Sequence, residues 1–175
     1  MGIKRYILAF LMVIIVAPGF AQVISRKAQR EKNKIERISQ IDSLMSAKTF
    51  VFEATRAFPQ GWKSVDLTTN SNYIRFSPDK IDSYMPFFGR AYSVDYNGDA
   101  GIKFTAKPEA YKIVTLKNGK GYEIEAAVSA SRDNYKLTLF VDPQGGASLT
   151  INSNQRASIS YNGTIGKLET PKSMQ

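Results

Sequence analysis

The chain has 175 residues, and it carries 24 basic against 15 acidic side chains but no cysteine and no histidine. The two missing residue types exclude disulfides, thiol chemistry, ordinary zinc sites and both Ser-His and Cys-His nucleophilic pairs. The length is enough for one domain with a sizeable core.

The N-terminal segment 1–21 is predicted to be an export signal. Two basic residues precede an unbroken apolar run, and the small residues Gly19 and Ala21 offer a cleavage site before Gln22. Cleavage would leave about 154 residues. The alternative is an uncleaved anchor, because the apolar stretch 6–24 is almost long enough to span a bilayer.

The predicted signal determines the expected location and partners. An exported chain is periplasmic or secreted, and the absence of cysteine means that it is not a lipoprotein attached through an N-terminal Cys. A basic exported protein is more suited to anionic lipid, acidic polysaccharide or an acidic protein than to nucleic acid. We therefore expect no nucleic-acid partner.

Residues 22–47 are predicted to form a helical lead-in, basic in its first half and amphipathic in its second. Apolar residues recur at helical spacing and should pack on the body of the protein from Ile35 through Met45. The basic half could contact an anionic membrane surface, and the alternative is a solvated spacer. Its basic residues are Arg26, Lys27, Arg30, Lys32 and Lys34.

Residues 48–165 show the period-two alternation of β-strands, with turn signals every eight to twelve residues, except in a less regular middle part between Lys80 and Ile102. This pattern predicts an all-β domain of about 8–10 antiparallel strands, closing as a sandwich or a partly open barrel. Residues 166–175 should form a flexible tail. The predicted inward residues are Phe50, Phe52, Ile102, Phe104, Ile113, Ile124, Val128, Leu137, Leu139, Leu149 and Ile151.

Asn118-Gly119 predicts a hairpin with a two-residue turn, because both central residues of a type I′ turn need positive φ. The implied register places Ile113 opposite Ile124 and Lys112 opposite Glu125. Apolar side chains then meet on one face and opposite charges on the other.

Three segments resemble a known family: Ser83-Tyr84-Met85-Pro86-Phe87-Phe88-Gly89-Arg90-Ala91-Tyr92, Gly101-Ile102-Lys103-Phe104, and the run from Ser153 to Gly163. They are similar to exported Bacteroidetes proteins classed as domain-of-unknown-function 4251, over about Lys48 to Ile165. The resemblance implies an envelope or secreted protein with one β-rich domain. It implies no catalytic role, since the family has no assigned activity.

The aromatic segment 84–96 is the main binding-site candidate. Its aromatic rings surround a single cation, Arg90, whose planar guanidinium suits a carboxylate, phosphate or sulfate. Such a site could hold a small anionic or sugar-like ligand. Alternatively, the phenylalanines fill the core and Gly89 allows a bend. The aromatic residues are Tyr84, Phe87, Phe88, Tyr92 and Tyr96.

Two weaker patterns remain. Asp95, Asn97 and Asp99 resemble part of a calcium loop, but Ala106 stands where the bidentate glutamate would be, so a polar turn is favoured. Ser77 and Lys80 have the spacing of a serine-lysine acylase without the required helix.

The function predicted from the sequence is a non-enzymatic exported binding or interaction module without a cofactor. One alternative is a membrane-anchored or membrane-surface accessory protein. A second is a carboxylate-based hydrolase, although no spacing selects one pair of acidic residues.

Overall fold

The computed structural model describes residues 18–92, 101–131 and 133–168. These residues divide into two compact units, one up to Arg37 and one from Ile38 onward. Within the described ranges, no helix combines the length and the apolar character that crossing a membrane requires. Most of the predicted signal segment lies outside these ranges, and its cleavage stays a prediction.

Helix α1 (Pro18–Ala47) contains the predicted lead-in. The predicted apolar stripe is only partly correct, because Ile35 is 60% exposed whereas Ile41 and Met45 are buried. The helix ends at Ala47, and the next residue, Lys48, has a φ of 55° and donates its amide to the Met45 carbonyl at 3.2 Å. A left-handed residue at this position is a common helix terminus.

Among the described residues, ten strands follow the helix, and all their pairings are antiparallel. They form one curled sheet, a half-barrel, in the order β5-β4-β3-β1-β10-β9-β8-β7-β6, with β2 beside β1. The all-β prediction is confirmed, and the closure is that of a partly open barrel. The strands are β1 (Phe50–Pro59), β2 (Val65–Asp66), β3 (Tyr73–Phe76), β4 (Ile81–Met85), β5 (Ile102–Ala106), β6 (Ala110–Thr115), β7 (Tyr122–Ser129), β8 (Asn134–Val141), β9 (Gly146–Ser153) and β10 (Ile159–Gly166).

The concave face of the sheet holds the core. All predicted inward residues are buried except Ile113, which is half-buried and packs against the others. Two ring pairs join strands that are not neighbours in the sheet: Phe104 stacks on Tyr135 at 4.7 Å, and Phe76 on Tyr111 at 6.5 Å. These contacts across the interior require the sheet to curl.

The β6–β7 hairpin has the predicted register, with Ile113 opposite Ile124 and Lys112 opposite Glu125. The predicted turn is wrong in type. Lys117–Gly119 form one turn of 3-10 helix, and the amide of Leu116 donates to the Gly121 carbonyl. The longer loop keeps the register because one residue is added on each side of the predicted turn.

Strands β1 and β10 form the central pairing, which contains a bulge between Ala54 and Arg56. Gly163 lies opposite Ala54, and a Cβ at Gly163 would overlap with the Glu53 carbonyl oxygen. Glycine is thus required for the close approach of the two backbones. Strand β10 ends at Gly166, where the flexible tail was predicted to begin.

Candidate functional site

The segment after β4 lies beside the turn between β9 and β10. The carbonyl of Arg90 accepts the amide of Ala157 at 2.9 Å, and the amide of Tyr92 donates to the Gln155 carbonyl at 2.8 Å. The two longest segments of the family resemblance are therefore neighbours in space.

A buried tyrosine adds a side-chain link between these segments. The hydroxyl of Tyr161 on β10 donates to the Pro86 carbonyl at 2.7 Å, and the ring is fully buried. Burial raises the pKa of the Tyr161 phenol far above its usual value and outweighs the opposing effect of Arg156. The phenol is therefore a neutral donor over the physiological pH range.

The turn after β9 is organised by a buried carboxylate, that of Asp133. It accepts hydrogen bonds from the Ser153 hydroxyl at 2.5 Å, the Asn134 amide at 2.8 Å and the Asn154 amide at 3.1 Å. The Ser153 oxygen in turn accepts the amide of Gln155 at 3.0 Å. These donors satisfy the carboxylate and fix the turn that pairs with the segment after β4.

A row of stacked side chains lies on the outer face of β3, β4 and β5. The Tyr73 and Tyr84 rings stack at 5.9 Å. The Lys103 Nζ lies 4.1 Å from the centroid of the Tyr84 ring, and the Arg75 guanidinium lies 4.1 Å from that of Tyr73. We call Arg75, Tyr73, Tyr84 and Lys103 the aromatic-cation row; cation-π contacts of this kind are favourable.

An open pocket of about 410 Å³ adjoins this row, and we call it the Tyr84 pocket. It combines the β2–β3 loop, the end of β4 and the start of β5. Its lining includes aromatic surface, hydroxyl and carboxamide groups and one ammonium. The lining residues are Thr69, Asn70, Ser71, Tyr84, Pro86, Phe87, Gly101 and Lys103.

Asn72, which is 8% exposed, positions the loop that forms one wall of the pocket. Its Oδ1 accepts the amide of Ala54 on β1 at 2.8 Å, and its Nδ2 donates to the carbonyls of Asn70 at 2.9 Å and Leu67 at 3.3 Å. One carboxamide therefore ties the loop to the central strand of the sheet.

The structure divides the predicted binding residues. Tyr84 and Phe87 line the pocket, and both Phe87 and Phe88 are half-buried against the core. Arg90 and Tyr92 are exposed and do not line the pocket, and Tyr96 lies outside the described residues.

Among the described residues, the cation that lines the pocket is Lys103, which the sequence analysis missed. Strand pairing places it directly opposite Tyr84. Phe87 is also near a cation other than Arg90, since the Arg156 guanidinium lies 5.2 Å from its ring centroid. No strand was predicted around Tyr84, because Ser83 and Tyr84 interrupt the alternation of apolar and polar residues there, so no local pattern indicated this pairing.

The weaker patterns give no additional site. Ser77 and Lys80 flank the tight β3–β4 turn, and the Ser77 hydroxyl donates to the Lys80 carbonyl at 2.7 Å. The calcium-loop residues Asp95, Asn97 and Asp99 lie outside the described ranges. Within those ranges, no three acidic side chains come together as metal ligands would.

Comparison with known proteins gives a family and a fold. A family model described as a domain of unknown function, DUF4251, matches residues 32–165, so the matched region begins inside α1 rather than at Lys48. A crystal structure of a DUF4251 family protein from Bacteroides eggerthii DSM 20697 is similar over 74% of this chain and 86% of the other, with a TM-score of 0.56 and 17% identity. At that identity the likeness concerns the fold alone. No protein with a curated description matches.

Proposed function

This chain belongs to the DUF4251 family, a domain of unknown function, and we propose that it is an exported, non-enzymatic binding module of the cell envelope. The observation that carries the proposal is the Tyr84 pocket, in which Tyr84, Phe87 and Lys103 meet three polar residues of one loop. Its volume of about 410 Å³ suits a small ligand.

The composition of the chain supports binding rather than catalysis. It offers no histidine or cysteine to activate a nucleophile. The spacing of Ser77 and Lys80 belongs to a hairpin turn, where the Ser77 hydroxyl donates to a backbone carbonyl. The proposed ligand is small and anionic or sugar-like.

The test is a binding screen of the full chain against sugars, sugar acids, amino acids and inorganic phosphate, read by NMR. Ser71→Phe fills the pocket from an exposed position on its rim, and Ser46→Phe places the same ring on an exposed helix position outside the pocket. We expect Ser71→Phe to abolish binding and Ser46→Phe to retain it. Binding that is unaffected by Ser71→Phe would contradict this site.

A membrane-surface role is the second candidate, because the basic part of α1 is exposed. Each Lys or Arg near an anionic surface contributes about 1 kcal/mol. The exposed basic residues are Arg26, Lys27, Arg30, Lys32 and Lys34. Binding to vesicles with and without anionic lipid tests this role, and the variant has these five residues changed to Gln.

N-terminal sequencing of the native protein tests export. A chain that begins at Gln22 has lost its signal.

A further inference from the structure

We infer that the loop between β1 and β2 is a membrane-contact site, at which Trp62 enters the boundary between the head groups and the acyl chains of a lipid bilayer. We call residues 60–64 the Trp62 loop. The inference goes beyond the proposed function, because none of these residues lines the Tyr84 pocket. It also requires no contact from the basic part of α1.

The Trp62 loop projects into solvent. Its hairpin begins where Ala57 on β1 pairs with Val65 on β2. The amide of Trp62 donates to the Pro59 carbonyl at 3.3 Å, and Gly61 has a φ of 77°, which the third residue of a type II turn requires. A Cβ at Gly61 would meet no atom within 4 Å, and residues 60–64 are all exposed. A projecting loop suits an extended partner surface rather than an enclosed ligand.

This end of the hairpin leaves aromatic surface in water. Trp62, the only tryptophan of the chain, is 70% exposed. Phe58, four positions earlier on β1, is 39% exposed. Transfer of apolar surface out of water is favourable, and exposed aromatic side chains that are close together are typical of an interaction site.

A bilayer fits the Trp62 loop better than a protein partner does. A specific protein interface needs about 800 Å² from each partner, and a loop of this length presents only two aromatic side chains. Insertion into a bilayer needs no complementary surface. Tryptophan favours the head-group boundary because its ring is apolar while its indole N–H can still donate a hydrogen bond.

The other side chains of the loop are compatible with lipid head groups. Lys63 follows Trp62 directly, and a lysine at this depth can place its stem along apolar surface and its ammonium among phosphates. Residues 56–65 include no acidic side chain. The first acidic residue after the loop, Asp66, lies 3.7 Å from the Arg56 guanidinium and accepts the Thr68 amide at 3.0 Å. The loop itself therefore presents no carboxylate to an anionic surface.

The experiment uses the fluorescence of the full chain, since all tryptophan emission comes from Trp62. The protein is mixed with vesicles of phosphatidylcholine and phosphatidylglycerol whose acyl chains carry bromine near the head groups, a quencher of short range. Vesicles of the same lipids without bromine are the reference. Sedimentation with the vesicles measures binding separately.

The matched control moves the tryptophan to another exposed aromatic position. Trp62→Phe combined with Phe140→Trp keeps an aromatic ring in the loop and places the indole on β8, three strands from β1 in the sheet. This variant should still bind vesicles, because the loop stays apolar. It reports whether bromine reaches the sheet in general.

We expect the emission of Trp62 to shift to shorter wavelength on vesicle binding and to lose intensity with brominated lipid, since the indole leaves water for the acyl boundary. The control variant should show neither change. Vesicle binding with unchanged Trp62 emission would overturn the inference and leave the basic part of α1 as the membrane contact. Equal quenching in the control, or no binding to vesicles, would also overturn it, and neither result affects the ligand screen of the Tyr84 pocket.

Discussion

The hydroxyl of Tyr161 donates to the carbonyl of Pro86 across 75 positions of sequence, at 2.7 Å. This hydrogen bond joins β10 to the segment that leaves β4 and passes beside the Tyr84 pocket. Pro86 itself lines the pocket. The buried phenol therefore connects the centre of the sheet to the candidate site.

Replacing Tyr161 by Phe should lower the free energy of unfolding by about 1–2 kcal/mol, because the Pro86 carbonyl loses its buried donor. Urea unfolding measures the change. Tyr92→Phe is the control, since Tyr92 is 72% exposed and its change should stay within about 0.5 kcal/mol. Equal effects of the two variants would show that the hydrogen bond contributes nothing.

Stability should fall in alkaline solution because the pKa of Tyr161 is raised in the folded state, mainly by burial. Above about pH 10 the phenol ionises in the unfolded chain but not in the folded one. The unfolded state then binds fewer protons, so this contribution is complete below that pH and is lost as the pH rises towards the folded pKa.

The pH dependence of urea unfolding between about pH 10 and 11.5 tests this prediction. We expect the free energy of unfolding of the wild type to fall more steeply with pH than that of Tyr161→Phe, by about 1.4 kcal/mol per pH unit. Parallel slopes for the two proteins would mean that Tyr161 ionises equally in both states.

Asn72→Ala should cost roughly 2–3 kcal/mol of stability, since it removes the partner of the Ala54 amide and two donors to the loop. It should also weaken ligand binding, because the loop forms a wall of the pocket. Asn152→Ala, at an exposed position of β9, is the matched control. NMR of the loop and urea unfolding measure these effects. If Asn72→Ala leaves both the loop and the free energy of unfolding unchanged, the positioning role is contradicted.

Gly163→Ala should destabilise the protein by about 2–4 kcal/mol, because the new methyl group overlaps with the β1 backbone and lies 2.8 Å from the Ala54 Cα. Gly166→Ala is the control in the same strand, where the Cβ would meet only the Val51 side chain, at 3.8 Å. Thermal unfolding of both variants measures the difference. Similar melting temperatures would show that β1 shifts at little cost.

The sequence predicted most of the sheet because alternation and charge determine which face of a strand is buried. The hairpin of Ile113 and Ile124 had the correct register even though its turn was of another type. In contrast, β4 was missed because its inward position Ser83 is polar and its outward position Tyr84 is aromatic. The Ser83 hydroxyl is satisfied by the Ile102 carbonyl at 2.9 Å, a contact that no local pattern reveals.

The candidate site was only partly predictable for a related reason. Tyr84 and Phe87 were identified from their own segment, and Arg90 was chosen as the cation because it lies near them in sequence. The cation of the pocket, Lys103, is brought there by the pairing of β5 with β4. Residues that strand pairing brings together cannot be identified from their neighbours in the sequence.

The central position of β1 has a consequence for the order in which the chain can fold. One neighbour of β1 is β3, but its other neighbour, β10, is the last strand of the sheet, and the Thr55 hydroxyl contacts the Asn162 carbonyl across 107 positions. Closing so long a loop is slow. As the chain is synthesised, the half-barrel cannot be completed until β10 has emerged, so the nascent protein remains open to chaperones and proteases until then.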